Sequence, residues 1–174
     1  MLKASDIGSM SKGQLLALLR EGHAIDLDAL DGDFFGVSLG LPPVVERMTW
    51  KVFRKTFHKR GAVVVGKNVR MEQYGPHGPG EPQTKNGELL TFGPFRVTAL
   101  PKDGTPFHCK RGVVLDYGLE HPPWHPLSPS RDVLVAVHEG SADLLLGALY
   151  LDVFGVTTRT PSYFTLERES TRTF

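Results

Sequence analysis

Gly32-Asp33-Phe34-Phe35-Gly36 is the stretch on which the fold turns. Two glycines frame a pair of phenylalanines. The pattern reads as the start of a strand, with the glycines permitting a strong bend and a close backbone approach. A plain strand flanked by two turn glycines is the competing reading. Behind it, Pro42-Pro43 suits a helix start. Val45, Met48, Thr49, Val52, Phe53, Thr56 and Phe57 then recur at helical spacing as far as Lys59, and Gly61 suits a stop. The expectation is one helix over 43–59. Nearly everything after it reads as strand and turn, which predicts a closed sheet with a lid.

Upstream, Ser11-Lys12-Gly13-Gln14 has the spacing of a capping box. Leu15, Leu16, Leu18 and Leu19 follow, and Gly22 can end the turn. Residues 1–29 are therefore expected to form a short helical appendage, and 30–174 one domain. Downstream, strands are expected at 62–65, 67–73, 89–100, 107–117, 133–139, 144–154 and 163–168. The 144–154 segment also fits a helix on periodicity, but Gly147, Gly155, Tyr150, Val153 and Val156 favour strand. In 107–117, alternation places Phe107, Cys109, Val113, Leu115 and Tyr117 on one face. The Pro- and Gly-rich segments 74–88 and 119–130 read as long loops. Seven to nine strands at this spacing, without helices between them, predict a mainly β, antiparallel barrel or sandwich.

Composition narrows the function classes. The chain has 174 residues, 40% hydrophobic and 22% charged, with a net charge of +1. That size buries a core without staples. The charge balance argues against a nucleic-acid binder. Cys109 is the single cysteine, so no internal disulfide forms. No stretch approaches the ~20 apolar residues of a membrane span, and residues 1–25 lack a signal-type apolar run. A cytoplasmic location is the expectation. No serine-hydrolase elbow, phosphate-binding loop or dinucleotide fingerprint is present, so no cofactor is expected.

Several pieces in order resemble the bacterial lipocalin-like, or calycin, barrels, whose first strand carries Gly-x-Trp-x-Gly. Here Gly32-Asp33-Phe34-Phe35-Gly36 has Phe34 at the tryptophan position. Arg111-Gly112-Val113-Val114, Asp143-Leu144-Leu145-Leu146-Gly147 and Tyr163-Phe164-Thr165-Leu166-Glu167-Arg168 follow. The resemblance covers roughly Leu30 to Arg168. It implies a lipocalin-like antiparallel β-barrel with one lid helix after the first strand, and an internal pocket for a small, mostly apolar molecule. It carries over no catalytic residues. The central aromatic is expected to plug the closed end.

The candidate site residues follow from strand faces. Tyr117 continues an apolar face and is the best pocket liner. Arg70, His138 and Tyr150 lie in or at the ends of strand candidates, where an inward polar group orients a ligand. Trp124, in the 119–130 loop, can pack over the barrel mouth. His121 and His125 have a spacing that chelates zinc on a helix, but the four prolines of 122–129 preclude one, and no metal is expected. His108 and Cys109 point to opposite faces of a strand, and Cys109 reads as a small core residue. Between Glu46 and Arg60, six basic residues stand against one acidic residue. A basic helix of this kind either is a solvated face or steers an acidic ligand to the mouth. Three functions remain open on these grounds. One is binding of a small hydrophobic or amphipathic molecule, acidic ones included. Another is a barrel enzyme that cyclises or isomerises a polyketide-type or fatty substrate. The third is a membrane-surface or partner-binding module using the basic helix. The oligomeric state stays open.

Overall fold

A computed structural model describes residues 1–39 and 51–172. Among the described residues, ten strands follow one another: β1 (Gly32–Leu39), β2 (Val52–Arg60), β3 (Val63–Arg70), β4 (Thr84–Lys85), β5 (Glu88–Leu89), β6 (Thr91–Ala99), β7 (Val113–Asp116), β8 (Ser130–Ala136), β9 (Leu144–Val153) and β10 (Val156–Arg168). Eight of them close a ring in the order β1, β2, β3, β6, β7, β8, β9, β10 and back to β1, while β4 and β5 form a separate ribbon. Every pairing in the ring is antiparallel. The mainly β fold is thus an up-and-down, lipocalin-like barrel, in which closure removes the exposed edges of an open sheet.

The expected helix over 43–59 is not the conformation of its second half, because Val52–Arg60 is strand β2. Residues 43–50 lie outside the described residues. The misreading has a simple physical source. Phe53 and Phe57 point inward while Val52 and Thr56 point outward, and all but the partly exposed Phe53 are fully buried. A strand buried on both faces produces apolar pairs at i, i+1, i+4 and i+5, which imitates a helical stripe. The 107–117 strand is also shorter than expected, with only Val113–Asp116 in the ladder. His108 has φ 60° and Gly112 φ 113°, values that break an extended run. Phe107 and Cys109 consequently join a cluster outside the barrel, while Val113, Leu115 and Tyr117 face inward. The end of the expected 74–88 loop forms, with Leu89, the β4–β5 ribbon, turned by Asn86-Gly87, both at positive φ.

Helix α2 (Lys12–Glu21) begins as the sequence predicts. The Gln14 backbone N–H donates to Ser11 Oγ at 3.4 Å, and the Ser11 N–H donates to Gln14 Oε1 at 2.9 Å. Leu15 and Leu19, with Ile7 of the preceding helix α1 (Ala4–Gly8), cover the outer wall formed by Val133, Val135, Leu146 and Tyr163. The chain then runs to His23, whose backbone pairs with Ala136 at the end of β8. No helix among the described residues is long and apolar enough to cross a membrane.

The barrel has two unlike ends. At one, the 3₁₀ turn Leu27–Leu30 brings Leu30 under the inward rings of Phe34 and Phe57, which meet edge to face at 5.3 Å. Arg168 stacks 4.5 Å from the Phe34 ring centroid and donates to the backbone carbonyls of Asp31 and Ala29. Phe34 is 0% exposed and is the plug expected of the central aromatic. At the other end, the inward residues Phe53, Phe92, Leu149 and Leu151 are only partly covered, and Arg70 is exposed at the rim. Replacing the plug tests this division. Phe34→Ala is expected to destabilise the fold by about 3–5 kcal/mol, read from urea unfolding. A loss under about 1 kcal/mol would mean the closed end does not depend on this ring.

Candidate binding site in the barrel interior

Four polar side chains meet at mid-height inside the barrel. Lys55 comes from β2, Asn68 from β3, Tyr117 from just beyond β7 and Asp132 from β8. The Lys55 ammonium donates to Asn68 Oδ1 at 2.7 Å and to the Tyr117 hydroxyl at 2.6 Å, and it lies 3.1 Å from Asp132 Oδ2. Tyr117 in turn donates to Asp132 Oδ2 at 2.9 Å. Asn68 Nδ2 donates to the Gly93 carbonyl at 3.1 Å. Lys55 is 2% exposed and Asp132 4%. A buried lysine or carboxylate is tolerated when paired and hydrogen-bonded, as here.

The ammonium also sits among four aromatic rings. Phe53, Phe95, Tyr117 and Phe164 have centroids 5.5, 5.1, 5.3 and 5.3 Å from Lys55 Nζ, within cation–π range. Each ring occupies space left by an inward glycine. A Cβ at Gly36 would overlap the Phe53 ring, at Gly66 the Phe95 ring, and at Gly147 the Phe164 ring. At Gly93 it would lie 3.1 Å from the Tyr117 ring and 2.9 Å from Asn68. Four strands therefore give up a side chain so that neighbouring strands can surround one cation.

Burial shifts the titration of this cluster. It lowers the pKa of Lys55, against which the Asp132 carboxylate acts. It raises that of Tyr117 well above the usual phenol value, and the Asp132 charge adds to the rise. The cluster thus combines an ammonium, a phenolic proton and a carboxylate within hydrogen-bond reach of one another, in an apolar shell.

Tyr117 is the one sequence-predicted site residue that joins this cluster. Arg70 faces the rim, 6.0 Å from the Phe92 ring. Tyr150 lies on the outer wall beside Phe107, with its pKa pushed up to about 12, chiefly by burial. His138 is outside the barrel near the closed end, its Nε2 2.9 Å from the Leu2 carbonyl. Trp124 is 84% exposed on its loop. The rings of His121 and His125 lie with centroids 4.1 Å apart, tilted by 53°, and no set of three metal-ligating side chains occurs among the described residues. Cys109 is buried outside the barrel, and burial raises its pKa. The basic run around β2 is spread over both faces of a strand. Lys55 meets Asp132, Arg54 meets Glu169 at 2.6 Å, and Lys59 meets Asp28. Sequence reasoning missed Lys55, Asn68 and Asp132. With 52–60 read as a strand, Phe53-x-Lys55-x-Phe57 would have placed a lysine between two inward rings.

Among the described residues, clefts also open on the outside of the barrel. One of about 930 Å³ runs between the N-terminal segment and the outer faces of β1 and β10, and one of about 420 Å³ lies beside His23 and Arg111.

No family model matches the chain, and no curated protein matches it. Among solved structures, apocrustacyanin C2 is similar, with a TM-score of 0.43 and 16% identity, over 94% of this chain and 71% of that one. A likeness that distant assigns neither ligand nor site to this chain.

Two outcomes are expected at this cluster. Lys55→Met leaves a buried, unpaired carboxylate and should cost about 3–5 kcal/mol, whereas Lys55→Met/Asp132→Leu should recover most of that loss. Additive losses in the cycle would show that the two groups do not interact. Tyr117 gives a pH signature. Its folded pKa is raised, so its contribution is complete below the unfolded value of about 10 and is lost as pH rises through the folded value. Unfolding free energies measured from pH 9 to 11 should fall more steeply for the natural protein than for Tyr117→Phe; equal slopes would contradict the assignment.

Proposed function

We propose that the protein binds a small, mainly apolar molecule in the open half of its barrel, with one polar group of that molecule resting on Lys55, Tyr117 and Asp132. The observation that carries this reading is the contrast between the two halves of the barrel. Below Lys55 the inward residues Phe34, Phe57, Leu115, Leu145 and Leu166 are fully buried, whereas above it Phe53, Phe92, Leu149 and Leu151 remain partly open. Apolar walls above a small polar floor are the usual composition of a ligand site. Burial of those walls supplies affinity at ~25 cal/mol per Å².

The charge balance at the floor favours the kind of head group. One ammonium faces one carboxylate, so the floor is close to neutral, and Asp132 opposes a second carboxylate. A neutral acceptor such as a carbonyl or hydroxyl takes a hydrogen bond from Lys55 or Tyr117 without that repulsion. An acidic head would depend instead on Arg70 at the rim.

Nile red should gain fluorescence with the natural protein and be displaced by decanol at least tenfold more effectively than by decanoate. Leu149→Trp should fill the open half and remove the signal, with an unchanged circular dichroism spectrum. Unaltered dye binding in folded Leu149→Trp would place any ligand elsewhere and overturn the reading.

A further inference from the structure

We infer that Lys55 is a covalent ligand anchor, whose amine condenses with a hydrophobic aldehyde held in the open half of the barrel to form an iminium paired with Asp132. The inference rests on the binding site proposed above and names its ligand class. It follows from what surrounds Nζ. A purely structural ion pair needs a carboxylate. Here the nitrogen also has a phenol at 2.6 Å, an amide oxygen at 2.7 Å and four rings at 5.1–5.5 Å. An iminium carries the same charge as the ammonium it replaces. The ring cage and Asp132 therefore stabilise the product as they do the resting state.

The proton inventory closes within the cluster. Asp132 takes one proton from the ammonium across the 3.1 Å contact and leaves a neutral amine. The amine lone pair forms the nitrogen–carbon bond as the carbonyl π pair moves onto oxygen. Tyr117, bonded to both Nζ and Asp132, relays a proton from nitrogen to that oxygen and yields the carbinolamine. Asp132 returns its proton to the hydroxyl, water departs, and the nitrogen lone pair closes the C=N⁺ bond. Ammonium and aldehyde become iminium and water, and Asp132 ends ionised. Burial of Lys55 assists the first step, since it enlarges the neutral amine fraction. Phe53 is the partly exposed ring among the four and stands between Nζ and the mouth, so its rotation admits the carbonyl.

Decanal with sodium cyanoborohydride at neutral pH, followed by intact-mass and peptide analysis of the natural protein, tests the inference. One decyl group on Lys55, formed at least tenfold faster than on any surface lysine, is the expected result. Phe53→Ala should accelerate it. Asp132→Asn should slow it relative to the labelling of surface lysines in the same sample. Labelling confined to surface lysines while decanol displaces the dye would overturn the covalent step and leave the binding site standing. Failure of decanol and decanal alike to displace the dye or label Lys55 would overturn both. Because the measurement on the natural chain decides the matter, it does not depend on a Lys55 variant that folds.

Discussion

The ion pair between Lys55 and Asp132 is the constraint around which the barrel is arranged. Lys55 lies on β2 and Asp132 on β8, four places apart in a ring of eight, so their contact spans the barrel. An eight-stranded barrel has an interior just wide enough for side chains to meet. Two charges that approach across that width are desolvated together, and each is tolerable only while the other is present. The pair consequently penalises any strand register that separates them. A slip of one residue in β2 would turn Lys55 outward and leave Asp132 alone in the interior.

This constraint also explains why the two halves of the barrel differ. The half below the pair is packed with Phe34, Phe57, Leu115, Leu145 and Leu166 over Leu30. Those residues bury apolar area without polar atoms to satisfy, so nothing opposes complete filling. The half above begins with a polar layer whose lone pairs and protons must be kept paired. Ser38 and Ser130 are the inward groups on β1 and β8 one step nearer the mouth, with Leu149, Leu151 and Phe92 on other strands. A rigid, hydrogen-bonded floor beneath a partly open apolar collar is suited to orienting a bound molecule by one group.

Much of the fold was legible in the sequence because most strands show on their own. The run from Leu144 to Val153 and the first strand read correctly, and so did the Ser11 capping box. The failures share a cause. Val52–Arg60 has apolar residues on both faces, and periodicity cannot separate that from a helix. With the helix went the site, since Lys55 appeared to be one more charge on a basic face. Asp132 stands before Val133 to Val137 and looks like a strand-end residue until the register with Leu115 and Leu149 turns it inward. Tyr117 was found because alternation along its strand survives in the fold from Val113 onward. Side chains that act by meeting across a barrel carry no mark in local spacing.

The glycines supply the sequence signal that remained unread. Gly36, Gly66, Gly93 and Gly147 all face inward, and each gives its space to one aromatic ring of the cage around Lys55. Glycine inside a strand loses backbone entropy on folding and packs nothing of its own, which costs about 0.5–1 kcal/mol relative to alanine. Gly93 has φ 52° at the register shift in β6, which favours glycine on backbone grounds as well, but no turn or positive φ calls for glycine at the other three. They are explained if the rings must lie flat against the barrel wall, so that the ammonium keeps its partners and the collar above it stays open. The opening Gly32-Asp33-Phe34-Phe35-Gly36 then has two separable parts. Phe34 seals one end of the barrel, and Gly36 makes room for the ring that guards the way in from the other.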